Sequence, residues 1–134
     1  MITVETNYEG KFKSASLSPL NEEPIIVSSP RFGPIDLLSA AYGSCLLLTI
    51  DGEAKKEHFD ITHARSEINY ELNENKDRLG KINIRLFFGK HYTDEQKVLI
   101  ETAAKHCHIG NSLDKSVDKV FEFIYNEQEI QVMN

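Results

Sequence analysis

Cys45 and Cys107, the two cysteines of this 134-residue chain, are the side chains best placed by type to carry chemistry. Each lies in a largely apolar or small-residue stretch, GSCLLL around the first and IETAAKHCHIG around the second. If both stretches are helical and share one core, two thiols 62 positions apart can meet. One thiolate could then attack a peroxide to give a sulfenic acid, and the other thiol could resolve it as a disulfide. The attacking thiol needs a lowered pKa, which calls for a nearby cation. Arg31, just ahead of the first stretch, and Lys11 or Lys13 are the candidates. The plainer reading is that a free cysteine is a small buried hydrophobe. Both readings stand at this point.

His106 and His108 flank Cys107, and with Cys45 they could be read as a zinc set. Consecutive residues on a helix point about 100° apart, so three in a row do not converge. His58, His63 and His91 lie on polar segments, and the chain has no P-loop, GxGxxG, GxSxG or HExxH pattern. No metal or organic cofactor is expected.

The elements that must hold the thiols follow from hydrophobic period. Ile2, Val4, Thr6 and Tyr8 alternate as a strand, Glu9-Gly10 turns the chain, and Lys11–Leu17 and Ile25–Val27 supply two more strands. Gly33-Pro34 opens a helix through Cys45 to about Glu57, apolar or small on every side up to Ile50. A helix apolar all round is a buried one, and this stretch reads as too short and too polar for a membrane span. Thr62–Leu72 and Ile82–Phe88 alternate as an antiparallel hairpin. Thr93 with Gln96 forms a capping box before a helix whose apolar face includes Cys107. Gly110 reads as its stop, Asn111 or Ser112 as the cap of a short helix to about Lys119, and Phe121–Tyr125 as a last strand. The order β-β-β-α-β-β-α-α-β predicts an α+β fold with mostly antiparallel sheet. Burying an all-apolar helix in so small a chain predicts a homodimer that covers its second face.

Length fits one domain over residues 1–134. A formal charge of −6 argues against nucleic acid or an anionic membrane as partner. The first residues lack the basic start and apolar segment of a secretion signal. Together with only two cysteines, this makes the cytoplasm the expected location.

The stretch Gly33-Pro34-Ile35-Asp36-Leu37-Leu38-Ser39-Ala40-Ala41-Tyr42-Gly43-Ser44-Cys45 resembles the central-helix motif of the OsmC/Ohr superfamily. Cys107-His108-Ile109-Gly110-Asn111-Ser112-Leu113 is similar to its second motif, with His108 where proline is usual. The resemblance implies an intertwined homodimer with sites at its interface, Cys45 as peroxidatic and Cys107 as resolving cysteine. It further implies an organic hydroperoxide as substrate, a dithiol reductant such as a lipoyl protein, and no cofactor. In peroxidase members an acidic residue directly follows the proline; here Ile35 stands there and Asp36 one step later. Asp36 is nine residues before Cys45, about 13 Å along an unbroken helix, and would face the partner chain. The family's arginine comes from the early β region, where Lys11 and Lys13 stand here, and Arg31 is the candidate substitute. This pattern lies nearer the divergent OsmC-like branch. The alternative it suggests is a non-enzymatic dimer that binds a hydrophobic small molecule in its interface pocket.

Overall fold

The structure, a computed structural model, describes residues 2–125. Strands β1 (Glu5–Gly10), β2 (Lys13–Leu17) and β3 (Ile25–Ser28) come first, then helix α1 (Pro34–Lys56). Strands β4 (Arg65–Leu72) and β5 (Leu79–Phe88) follow, then helices α2 (Asp94–Ala104) and α3 (His108–Ser112), and strand β6 (Asp118–Tyr125). The expected order and the α+β class are therefore observed. The chain divides into two compact units, Met1–Leu38 and Ser39–Asn134.

The first unit is an antiparallel sheet ordered β1-β2-β3. Its hairpin turns at Lys11 and Phe12, both at positive φ (55° and 62°), and not at Glu9-Gly10 as expected. Gly10 sits at the end of β1, where a register shift lets the strand run on to the turn. Lys13 on β2 pairs with Glu9 at 3.5 Å. No described residue of this unit is buried. Tyr8 and Phe12 are 70% and 76% exposed.

In the second unit, β4 pairs antiparallel with β5, and β6 returns through α2 and α3 to lie parallel to β5. A parallel neighbour requires such a crossover, and the helical segment supplies it. The central strand is the most buried, with Ile82, Ile84, Leu86, Phe87 and Phe88 inside. Beyond Ile68 the expected inner face of β4 is open, with Leu72 42% exposed.

Helix α1 begins in the first unit and continues into the second. At its start the Asp36 carboxylate accepts a hydrogen bond of 2.8 Å from the Gly33 N–H, and Lys55 and Lys56 sit in its last turn, where cations suit the helix dipole. Contrary to expectation it is buried on one face only. Tyr42, Leu46, Ile50 and Ala54, spaced by four, enter the core. Leu48 on the opposite side is 72% exposed. A chain this size has too few elements to wrap a helix on all sides. With 23 residues α1 is also long and apolar enough, by length and composition, to cross a membrane, so the expectation that it is too short does not hold. Its i+4 stripe instead packs it as the core helix of this unit. Gly43 permits close approach of β4, since a Cβ there would lie 2.5 Å from Ser66 Oγ.

Helix α2 has the expected capping box: the Gln96 N–H donates to Thr93 Oγ1 (3.1 Å) and the Thr93 N–H to Gln96 Oε1 (2.9 Å). It ends at Ala104, short of Cys107. The expected helix from Asn111 to Lys119 is replaced by α3, which starts earlier and includes Gly110. Cys107 is the cause. Its extended backbone caps α3, with the Gly110 N–H donating to Cys107 Sγ at 3.3 Å. After Leu113 the Asp114 carboxylate accepts from the Ser116 N–H at 3.0 Å, a local turn that competes with helix.

Candidate active site

Cys45 projects from the middle of α1 and Cys107 stands in the link between α2 and α3; the fold brings the two together inside one unit. Both thiols are free, Cys45 half-buried and Cys107 1% exposed. The Cys107 S–H donates to the Cys45 sulfur. Burial alone would raise the Cys45 pKa. The N–H of Ile109, the Cys107 thiol, the Thr49 hydroxyl and the N–H of His108 all point at its sulfur and outweigh burial, so Cys45 lies below the ordinary thiol value. Thr49 Oγ1 is 4.0 Å from that sulfur, one helical turn on. Cys107 is displaced the other way: burial raises it, and the charge of Cys45 and the bond it donates raise it further, against the Gly110 N–H. One sulfur is thus prepared to be a thiolate and its neighbour to remain a thiol.

Tyr42, one turn before Cys45 and 2% exposed, completes the cluster. Burial, and then the charge of the two cysteines, pushes its pKa up to about 12. Its hydroxyl can donate a proton in a hydrogen bond but is no base near neutrality. It lies so near α3 that a Cβ at Gly110 would come within 2.8 Å of the hydroxyl oxygen, which is why a residue without a side chain stands there. The sequence reading took Tyr42 for core and Gly110 for a helix stop. The signal that could have marked Tyr42 is its spacing, three residues before Cys45 on one helix face.

A groove of about 560 Å³ runs between α1 and α2, its walls including Thr49, Val98, Leu99 and Ala103. His106 and His108 line it together with Glu53 and Glu95. His106 Nδ1 is 2.7 Å from the Thr102 carbonyl oxygen. Among the described residues no group of three His, Cys, Asp or Glu side chains converges as a metal site, and His106 and His108 fall on either side of the break between α2 and α3.

Arg31 and Asp36 belong to the other unit. The Arg31 N–H donates to the Ser28 carbonyl at 2.8 Å, in the turn that leaves β3. Asp36 holds the Gly33 amide at the start of α1.

Frame and site together define an α+β protein with two free thiols on adjoining helical elements. The OsmC-like protein family model matches residues 28–120, and the chain belongs to that family. A candidate osmotic stress induced and detoxification response protein from Psychrobacter arcticus is similar in structure, with a TM-score of 0.84 at 20% identity over 92% of this chain and 96% of that one. An OsmC-like protein from Mycoplasma pneumoniae has a TM-score of 0.80 at 16% identity, covering 93% and 96% of the two chains. The organic hydroperoxide resistance protein OhrB of Bacillus subtilis has a TM-score of 0.68 at 14% identity, covering 92% and 97%. At these identities the likeness is one of fold. No curated protein sequence matches the chain.

Proposed function

We propose that the protein is a thiol-dependent peroxidase that reduces organic hydroperoxides through Cys45 and Cys107. The observation that carries this reading is the placement of two free thiols side by side, Cys45 on α1 packed against the core that holds Cys107 at the cap of α3. The Cys45 thiolate attacks the terminal oxygen of R–O–OH; the S–O bond forms, the O–O bond breaks, and the alkoxide takes up a proton to leave as the alcohol. The Cys107 thiol then attacks the Cys45 sulfenic acid, forming the disulfide and releasing water. An external dithiol, for which a lipoyl protein is the candidate, returns the pair to thiols by two exchanges. This chemistry draws on no metal or organic cofactor, and a reducing cytoplasm would keep the pair primed.

The working form we propose is a homodimer. Two features support it: the exposed outer face of α1, and a first unit with no buried residue among those described. A three-stranded sheet needs an apolar face covered to be stable. In that assembly Arg31 is the candidate cation for the thiolate, and Asp36 is a candidate to face the partner chain.

The test is reaction of the reduced protein with one equivalent of cumene hydroperoxide, followed by thiol titration and intact mass. The wild type should lose two thiols, Cys107→Ser should stop at a sulfenic acid, and Cys45→Ser should be inert. Slow, equal oxidation of all three proteins would overturn the reading. The roomy groove would then favour the second one, a non-enzymatic dimer that holds a hydrophobic small molecule.

A further inference from the structure

We infer that His108 is a catalytic residue, the acid that protonates the departing alkoxide; the inference rests on the peroxidase reading above. His108 is the first residue of α3, and its own N–H points at the Cys45 sulfur. Its side chain lines the groove whose wall also includes Thr49, the residue in contact with that sulfur. Cys45 itself lies outside the groove lining, one helical turn before Thr49, so a hydroperoxide that meets Cys45 with its terminal oxygen would pass Thr49 to reach the groove and His108.

The inner oxygen of the peroxide carries the negative charge as the O–O bond breaks, and it needs a proton at that moment. The groove offers four titratable side chains. Glu53, on α1, is eight residues beyond Cys45, about 12 Å along the helix, and its carboxylate pairs with Lys56 at 3.1 Å. Glu95 lies in the first turn of α2, at the end of that helix away from Cys107. Of the residue types present, imidazole is the one whose chemistry suits general acid–base work. His106 has one ring nitrogen occupied by the Thr102 carbonyl and lies on the far side of Cys107 in the chain. The other groups facing this end are poorer acids for the task. Tyr42 holds its proton up to about pH 12, the Cys107 thiol is committed to the Cys45 sulfur, and the Lys119 ammonium donates to the Gly110 carbonyl at 2.8 Å.

In the step, the Cys45 sulfur gives an electron pair to the terminal oxygen and is oxidised to sulfenic acid. The peroxide is reduced, and the proton on His108 passes to the inner oxygen, so that R–OH leaves and a neutral imidazole stays. Solvent returns the proton.

The experiment compares single-turnover reduction of cumene hydroperoxide from pH 5 to 9 in wild type, His108→Gln, His108→Lys and His91→Gln. Cys45 alkylation by iodoacetamide is measured in each, because alkylation needs the thiolate but no acid. His108→Gln should slow peroxide reduction about a hundredfold, the order a general acid contributes. Its alkylation rate should stay within about twofold of wild type. His108→Lys should recover part of the rate, and His91→Gln, which lies outside the groove lining, should keep it. Wild-type reduction rates in His108→Gln, or a parallel fall in alkylation, would overturn the assignment while leaving the peroxidase reading intact. A wild type that consumes no hydroperoxide would overturn both. If His108→Gln does not fold, as judged by its melting curve, His108→Asn carries the same comparison.

Discussion

Cys45 and Cys107 are the same side chain held in opposite states by what surrounds each sulfur. Cys45 receives donors from the link and first turn of α3; Cys107 is enclosed and gives its proton away. Iodoacetamide labelling rates should report this directly, since alkylation follows the thiolate fraction. For Cys45, in the Cys107→Ser background, the midpoint should fall below the ordinary thiol value of about 8.5, and the rate should drop about tenfold per pH unit below that midpoint. Cys107, measured in Cys45→Ser, should titrate above it. Coincident midpoints would show that the two environments do not differ. The thiols themselves were legible as letters in the sequence. Their inequality was not, because the donors that create it are largely main-chain amides, which no letter encodes. Tyr42 was passed over for a related reason: inside the run LLSAAYGSCLLL an aromatic reads as core, and only the packed neighbour reveals that its hydroxyl lies against Gly110 of α3.

Among the elements, α2 forms one wall of the groove, and its start is fixed by Thr93. Replacing Thr93 by alanine removes the side-chain half of the capping box and should lower stability by about 1 kcal/mol, measured by urea or thermal unfolding. Thr93→Ser should be close to neutral. A Thr93→Ala protein as stable as wild type would mean that the cap contributes nothing here. The capping box was readable because threonine and glutamine three apart have a local meaning. Element boundaries next to the site were less readable. Cys107 acts as the N-cap of α3, a role the sequence assigns to serine, threonine, asparagine or aspartate, so the expected start fell at Asn111 or Ser112. The first hairpin misled in the same manner: Gly10 was the natural turn residue and does take a positive φ of 84°, yet the two turn positions are Lys11 and Phe12, also at positive φ.

For the whole molecule, the order and type of every element were legible from hydrophobic period, since each segment has a clear repeat of its own. What covers each surface was legible only in part. An all-apolar α1 was read as fully buried, and half of that reading was a statement about a second copy. Light scattering at micromolar concentration should give twice the chain mass, and Leu48→Glu should weaken the association by at least about tenfold, because burying a leucine is worth about 1.5–3 kcal/mol and a two-fold assembly loses it twice. A monomeric wild type would sink the dimer proposal. On that proposal the coreless first unit has a further consequence, one of lifetime in the cell. A lone chain displays Tyr8 on β1, Phe12 in the hairpin turn and Leu20 in the loop after β2, in a unit without an interior, the kind of surface that proteases and chaperones act on. Only pairing hides it. Scarce copies would then be cleared quickly and abundant ones spared, so that the amount of protein sets its own persistence.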